Sequence, residues 1–157
     1  MIEPIRTSRL VLDPIDQATA AAIVTGNLGG LSAGIGWPQD DTISGMRLRS
    51  ALGGHPACWL IQLHDVVVGE LGWKGGPGPD GTAEIGYSLA PSYRGQGIGS
   101  EAVDAFTRWA LSHGGVRRLV ASTDRANIAS QRVLEKAGFV VSRTDGEHLY
   151  WLRDGSS

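Results

Sequence analysis

The run Arg94-Gly95-Gln96-Gly97-Ile98-Gly99 has the makings of a loop that holds a phosphate. Before it, residues 83–89 alternate as a strand does, and Ala90-Pro91 ends them because proline cannot donate to a ladder. After it, Ile98, Ala102, Ala105, Phe106, Trp109 and Ala110 recur at three- and four-residue steps, the buried stripe of a helix. A glycine-rich turn from strand to helix presents bare backbone N–H groups at the positive end of the helix dipole, where an anion sits. Spacing separates the candidates. No Gly-Lys-Ser/Thr occurs, which excludes a P-loop, and Ser100 stands where the dinucleotide pattern GxGxxG needs its last glycine. What fits is Arg-x-x-Gly-x-Gly, read as Arg94, Gly97 and Gly99. Backbone amides from Gln96 to Ser100 would take a pyrophosphate, with Arg94 as a charged supplement.

Other side chains have chemistry to offer. Glu84 lies on the strand that leads to the loop, and Glu70 on its apolar neighbour. A carboxylate partly removed from water there gains a raised pKa and can take a proton through one water, with Glu84 the first candidate and Glu70 the second. Alternation puts Glu84 and Gly86 on one face and Ile85 and Tyr87 on the other. Ser130 offers a hydroxyl one turn past Asn127. His55, His64, His113 and His148 are scattered without ligand spacing, so no metal site is expected. Cys58, in an apolar strand pattern, reads as core and not as a nucleophile.

The loop resembles the cofactor motif of the GNAT superfamily of N-acetyltransferases, and the resemblance runs nearly end to end. Thr7-Ser8-Arg9-Leu10-Val11-Leu12-Asp13-Pro14 is similar to the opening strand of the branch containing the ribosomal-protein N-terminal acetyltransferases. The stretch from Asn127 through Ser130 to Gly138-Phe139 resembles that branch's Asn-x-x-Ser helix closed by Gly-Phe. Two positions depart: Asp13 stands where the branch often has arginine, and Leu134 where a related group has the tyrosine that protonates the departing thiolate.

The resemblance implies acetyl-CoA as co-substrate, with its pyrophosphate on Arg94, Gly95, Gln96, Gly97, Ile98, Gly99 and Ser100. It implies that the pantetheine arm lies beside Tyr87, Ser88 and Leu89, with Asn127 and Ser130 in reach, and that the strand carries a bulge. A backbone N–H near Leu89 would polarise the thioester carbonyl, a role typically worth about 3 kcal/mol per donor. Ser130 is then the best donor to the thiolate. Trp37, Trp73 and Tyr87 are candidates to line the acceptor pocket. The implied reaction is transfer of an acetyl group to a primary amine by direct attack in a ternary complex. A non-catalytic acyl-CoA sensor, motivated by Leu134, and a transferase of another acyl group are the alternatives. The acceptor is a protein N-terminus or a small cationic amine; Asp40, Asp41, Asp145 and Glu147, in loops the family uses for its acceptor cleft, would favour a cation.

These residues need a scaffold, and the pattern predicts a mixed α/β domain, a largely antiparallel central sheet flanked by about four helices. Residues 9–13 make a first strand stopped by Pro14, and Asp16 caps a helix through about Val24. A second helix starts at Asp41 or Thr42, turns Ile43, Met46 and Leu52 inward, and stops at Gly53-Gly54. Strands over 57–63 and 66–73 join at His64-Asp65. A strand over 118–122, a helix over 127–137 and a hairpin over 140–143 and 148–152 complete the chain.

With 157 residues, 41% hydrophobic and 19% charged, the chain reads as one folded domain, 1–157. A net charge of −2 gives no electrostatic footprint for nucleic acid or an anionic membrane. One cysteine allows no internal disulfide, no apolar run is long enough for a span, and no secretory pattern opens the chain. The expectation is a cytoplasmic monomer or homodimer.

Overall fold

Alternating apolar segments pair into one sheet in this computed structural model, which describes residues 2–52, 58–113 and 115–155. The elements are β1 (Ile5–Arg6), β2 (Leu10–Ile15), α1 (Gln17–Val24), β3 (Ser32–Ala33), α2 (Asp40–Leu52), β4 (Cys58–Leu63), β5 (Val66–Gly75), β6 (Thr82–Leu89), a 3₁₀ turn (Pro91–Tyr93), α3 (Ile98–Ser112), β7 (Arg118–Asp124), α4 (Ile128–Lys136), β8 (Val140–Thr144) and β9 (His148–Asp154). Among the described residues the sheet has nine strands, ordered β1-β2-β4-β5-β6-β7-β9-β8, with β3 beside β5. Among these strands β6–β7 and β3–β5 pair in parallel, and the other described pairs are antiparallel.

The sheet buries both faces. On one, Trp59, Ile61, Leu71, Ala83 and Ile85 meet Ile98, Ala102 and Phe106 of α3 and Leu134 of α4. Trp59 anchors this side, its ring 4.7 Å from Phe106 and 6.0 Å from Trp73 in edge-to-face contacts worth about 0.5–1.5 kcal/mol each beyond their area. On the other face, Ile15, Cys58, Leu60 and Val67 meet Ala20 and Ile23 of α1, Trp37, and Met46 of α2. Cys58 is fully buried, and burial pushes its thiol up to about 12, so it is core.

Three expectations change. Pro14 does not stop the first strand: it lies inside β2 opposite Trp59. Its outer edge is free for it, because β1 pairs only with Val11 and Leu12. The bulge expected in β6 falls on its neighbour instead, since Trp73 pairs with Ile85 and Gly75 with Glu84, leaving Lys74 as the extra residue of β5. And α2 begins at Asp40, one residue early, with Asp40 and Asp41 both in its first turn at the positive end of the dipole. The Gly53-Gly54 stop, His55, Ala57 and the Leu52 side chain lie outside the described residues. His64 and Asp65 adopt φ of 50° and 64°, the left-handed pair a two-residue hairpin turn demands.

Candidate active site

Strands β6 and β7 run in parallel but pair only at Thr82–Arg118, Ala83–Leu119 and Glu84–Val120. β6 nonetheless continues to Leu89 and β7 to Asp124. Beyond Glu84 the two strands part, and a wedge opens in the middle of the sheet. The N–H of Ala90 donates to Val68 O of β5 at 2.9 Å. Backbone groups alternate along a strand, so the N–H and C=O of Leu89 turn to the opposite edge, into the wedge.

The glycine loop follows directly. Arg94 N–H closes the 3₁₀ turn on Pro91 O, and Gly95 and Gly97 then take φ of 76° and 79°. A side chain is rarely tolerated there. Gly97 is the N-cap of α3 and makes no side-chain cap hydrogen bond. The first N–H groups of α3, from Ile98 to Ser100, have no intrahelical acceptor and point off its N-terminus. A Cβ on Gly95 would meet nothing within 4 Å, so the backbone is open to a ligand. The donors present, uncapped amides at a positive helix end, fit a pyrophosphate.

Arg94 folds back from this loop. Its Nε donates to Leu89 O at 3.0 Å and its Nη2 to Gln39 Oε1 at 3.2 Å. Gln39 in turn donates from Nε2 to Ser88 Oγ at 2.8 Å and to Leu89 O at 2.9 Å. Arg9, at the start of β2, braces the loop from the other side: Nη1 donates to Gln96 O at 3.1 Å, while Nε pairs with Glu101 at 2.9 Å. Sequence reasoning missed Gln39 and this role of Arg9. Gln39 carried no signal, while Arg9 stands in the Thr7-Ser8-Arg9 run without any pattern linking it to position 96.

Unbroken alternation sorts the remaining candidates by face. Tyr87 and Leu89 turn to the α3–α4 side, where the Tyr87 hydroxyl lies within hydrogen-bond distance of Ser130 twice, 2.5 Å from its Oγ and 3.2 Å from its carbonyl oxygen. Burial pushes the Tyr87 phenol up, against the pull of the Ser130 hydrogen bond. Asn127 caps α4, its Oδ1 accepting from Ser130 N at 3.1 Å. Glu84 and Ser88 turn to the other face, Glu84 half-buried. Glu70, across from Ser88, is only 3% exposed. Its Oε1 accepts from Trp37 Nε1 at 3.0 Å and Thr42 Oγ1 at 2.6 Å. Burial raises its pKa, against those two hydrogen bonds and the field of Arg49.

The three candidates for an acceptor pocket do not come together. Trp37 is 5% exposed and spends its N–H on Glu70, on the α1–α2 face. Trp73 packs 5.0 Å from Phe106 on the α3 face. Tyr87 faces α4. Among the described residues no group of three or more His, Cys, Asp or Glu is placed to hold a metal, and no helix is long and apolar enough to cross a membrane.

The profile of the acetyltransferase (GNAT) domain matches residues 9–140. An uncharacterized N-acetyltransferase of Bacillus subtilis (strain 168), YjdG, is 35% identical over 96 residues, covering 60% of this chain and 57% of that protein. The ribosomal-protein-serine acetyltransferase of Escherichia coli (strain K12) is 30% identical over 118 residues, 71% of this chain and 66% of its own length. The match thus spans under two thirds of each of these curated relatives. In fold, the chain is similar to the ribosomal L7/L12 alpha-N-protein acetyltransferase RimL in complex with coenzyme A, with a TM-score of 0.71 at 23% identity over 97% of this chain and 98% of that one. The structure of AAC(6')-Ib in complex with parmomycin and acetyl-CoA gives 0.66 at 19% over 94% of each. The wedge in the sheet, the uncapped helix N-terminus beyond it and the profile match agree: the chain belongs to the GNAT family of acetyltransferase domains.

Proposed function

We propose that this protein is an N-acetyltransferase that moves an acetyl group from acetyl-CoA to a primary amine by direct attack while both are bound. The observation that carries the reading is the continuity of β6 with the loop: the strand loses its parallel partner after Glu84, runs five residues further, and leads through the glycine loop to the N-terminus of α3, whose N-cap Gly97 makes no side-chain cap hydrogen bond. An extended thiol-bearing arm can pair with that edge while its diphosphate is held by the amides from Gln96 to Ser100. Acetyl-CoA supplies an activated thioester carbonyl; the protein supplies the rest.

The N–H of Leu89 is the oxyanion donor, a fixed dipole aimed into the wedge. Gln39 and Arg94 hold the carbonyl oxygen of the same residue, in the next peptide along. Glu84 takes the amine proton through one water. That matters most for a side-chain amine, since a lysine near pKa ~10.4 costs about 4.6 kcal/mol to deprotonate at pH 7, against about 1.4 for an α-amine near ~8. Ser130 hydrogen-bonds the leaving sulfur. Similarity in fold to RimL, a ribosomal L7/L12 alpha-N-protein acetyltransferase, supports a protein N-terminus as acceptor. Similarity in fold to AAC(6')-Ib keeps small cationic amines in the panel to be tested.

Isothermal titration with acetyl-CoA and CoA, followed by a thiol-release assay across N-terminal peptides, polyamines and aminoglycosides, tests the reading. Micromolar binding with turnover on one class is expected. Binding with no thiol release on any amine favours an acyl-CoA sensor, the reading that Leu134 in place of a tyrosine supports.

A further inference from the structure

We infer that Tyr87 is the positioning residue for the Ser130 hydroxyl, setting which way its hydrogen points; this rests on the transferase reading above. Ser130 is held at each of its polar groups. Its N–H donates to Asn127 Oδ1, while its carbonyl oxygen and its Oγ both lie within hydrogen-bond distance of the Tyr87 hydroxyl, at 3.2 and 2.5 Å. The contact joins β6 to α4, the helix that follows β7 in the chain. Asn127 fixes the backbone at position 130, and Tyr87 fixes the side chain.

A phenol has one proton and a serine hydroxyl has one. If Tyr87 donates to Ser130 Oγ, the serine hydrogen is barred from pointing at Tyr87 and is left to point at an acceptor in the wedge. That acceptor is the sulfur. As the C–S bond breaks, its electron pair goes to sulfur and the Ser130 hydrogen moves to it. The amine nitrogen, becoming an amide, releases one proton to the Glu84-bound water, and solvent returns one proton to Ser130. Tyr87 keeps its own proton throughout. Solvent reprotonates Ser130 in the same step, so no alkoxide, a stronger base than a phenolate, is left beside Tyr87, and burial holds the phenol in its neutral, hydrogen-bond-donating form. Its bond to Ser130 Oγ strengthens as negative charge grows there, so the interaction is larger in the transition state than at rest.

The test is a double-mutant cycle of Tyr87→Phe and Ser130→Ala, read in the free protein and in turnover. Phenylalanine keeps the ring and removes only the hydroxyl. In the free wild-type protein, proton NMR should show a slowly exchanging Tyr87 hydroxyl resonance that Tyr87→Phe removes and Ser130→Ala displaces. In turnover, Tyr87→Phe should lower kcat about tenfold, leave the acetyl-CoA Kd within twofold, and have no further effect once Ser130 is alanine. Multiplying effects of the two substitutions, or a weakened Kd at unchanged kcat, would make Tyr87 a wall of the cofactor site and overturn the inference. So would a hydroxyl resonance that stays in place in Ser130→Ala. Absence of thiol release from the wild type on every amine would instead sink the transferase reading, and this inference with it.

Discussion

Arg94 Nε donates to the carbonyl oxygen of Leu89 at 3.0 Å, tying the first residue of the glycine loop to the last residue of β6. The arginine of the Arg-x-x-Gly-x-Gly pattern therefore acts on the strand edge and on Gln39. A hydrogen bond with one charged partner contributes about 1.5–3 kcal/mol, and exposure puts this one at the low end. Arg94→Ala should weaken acetyl-CoA binding about tenfold by titration calorimetry. Arg94→Lys should do no better, because lysine has no planar fork to reach two acceptors at once. Full recovery with lysine would show that charge alone matters and that Arg94 contacts the phosphates.

Gly97 carries the loop at φ 79°, and a Cβ there would come 3.4 Å from the Arg9 guanidinium. A β-branched residue is strained in that region whatever the space around it. Gly97→Val should therefore raise the CoA dissociation constant at least a hundredfold and leave the far-UV circular dichroism near that of the wild type. Micromolar affinity retained by the variant would remove the loop from the binding site.

Much of this was legible in the chain, for physical reasons. The strand before Pro91, the loop and the stripe from Ile98 to Ala110 are local signals, each set by residues within a few positions of one another. The faces of Glu84 and Tyr87 follow from alternation alone, and the unbroken register of β6 keeps them apart. What sequence did not carry is long range. Gln39 meets Ser88 across 49 positions and Arg9 meets Glu101 across 92. Trp37 and Trp73 were assigned to one pocket, but they lie on opposite faces of the sheet, because large aromatics follow the core before they follow a ligand. The bulge was misplaced since either strand of a pair can hold the extra residue, and only pairing reveals that it is Lys74.

Glu84→Gln should lower the rate at pH 7 by at least tenfold and leave the acetyl-CoA Kd within twofold, as removal of a general base does. Partial recovery should come as pH rises, because the amine then loses its proton without help. A pH–rate profile parallel to that of the wild type disqualifies Glu84. The next variant to assay is then Glu70→Gln.

Glu70 also predicts a pH dependence of stability. Its folded carboxyl holds a proton to higher pH than the unfolded one, because burial penalises the charge. Between the two values the folded state binds more protons, so stability falls as pH rises, and above the folded value the penalty is complete. Glutamine keeps an oxygen for Trp37 and Thr42 and cannot ionise. Thermal melts should show the two proteins converging at low pH and Glu70→Gln the more stable above the folded pKa. Curves of identical shape across pH 4 to 8 would show that the carboxyl is charged at little cost, through Arg49.

Leu134 decides between a working catalyst and a decayed one. It is fully buried against the core shared by α3 and α4, and its carbonyl accepts from Phe139 N–H at 3.0 Å, where the helix closes. A tyrosine there must fit a ring and a hydroxyl into packed space, which costs about 1–3 kcal/mol. For a domain of this size that is a fall in Tm of roughly 2–12 °C. Because Ser130 already serves the sulfur in the proposed mechanism, Leu134→Tyr should lose stability without gaining turnover. Ser130→Ala should slow turnover only about tenfold, since a thiolate of pKa ~8.5 leaves with little help. A strong rise in turnover for Leu134→Tyr would mean that the natural chain lacks its acid, and the acyl-CoA sensor would then become the better account of the wedge and its loop.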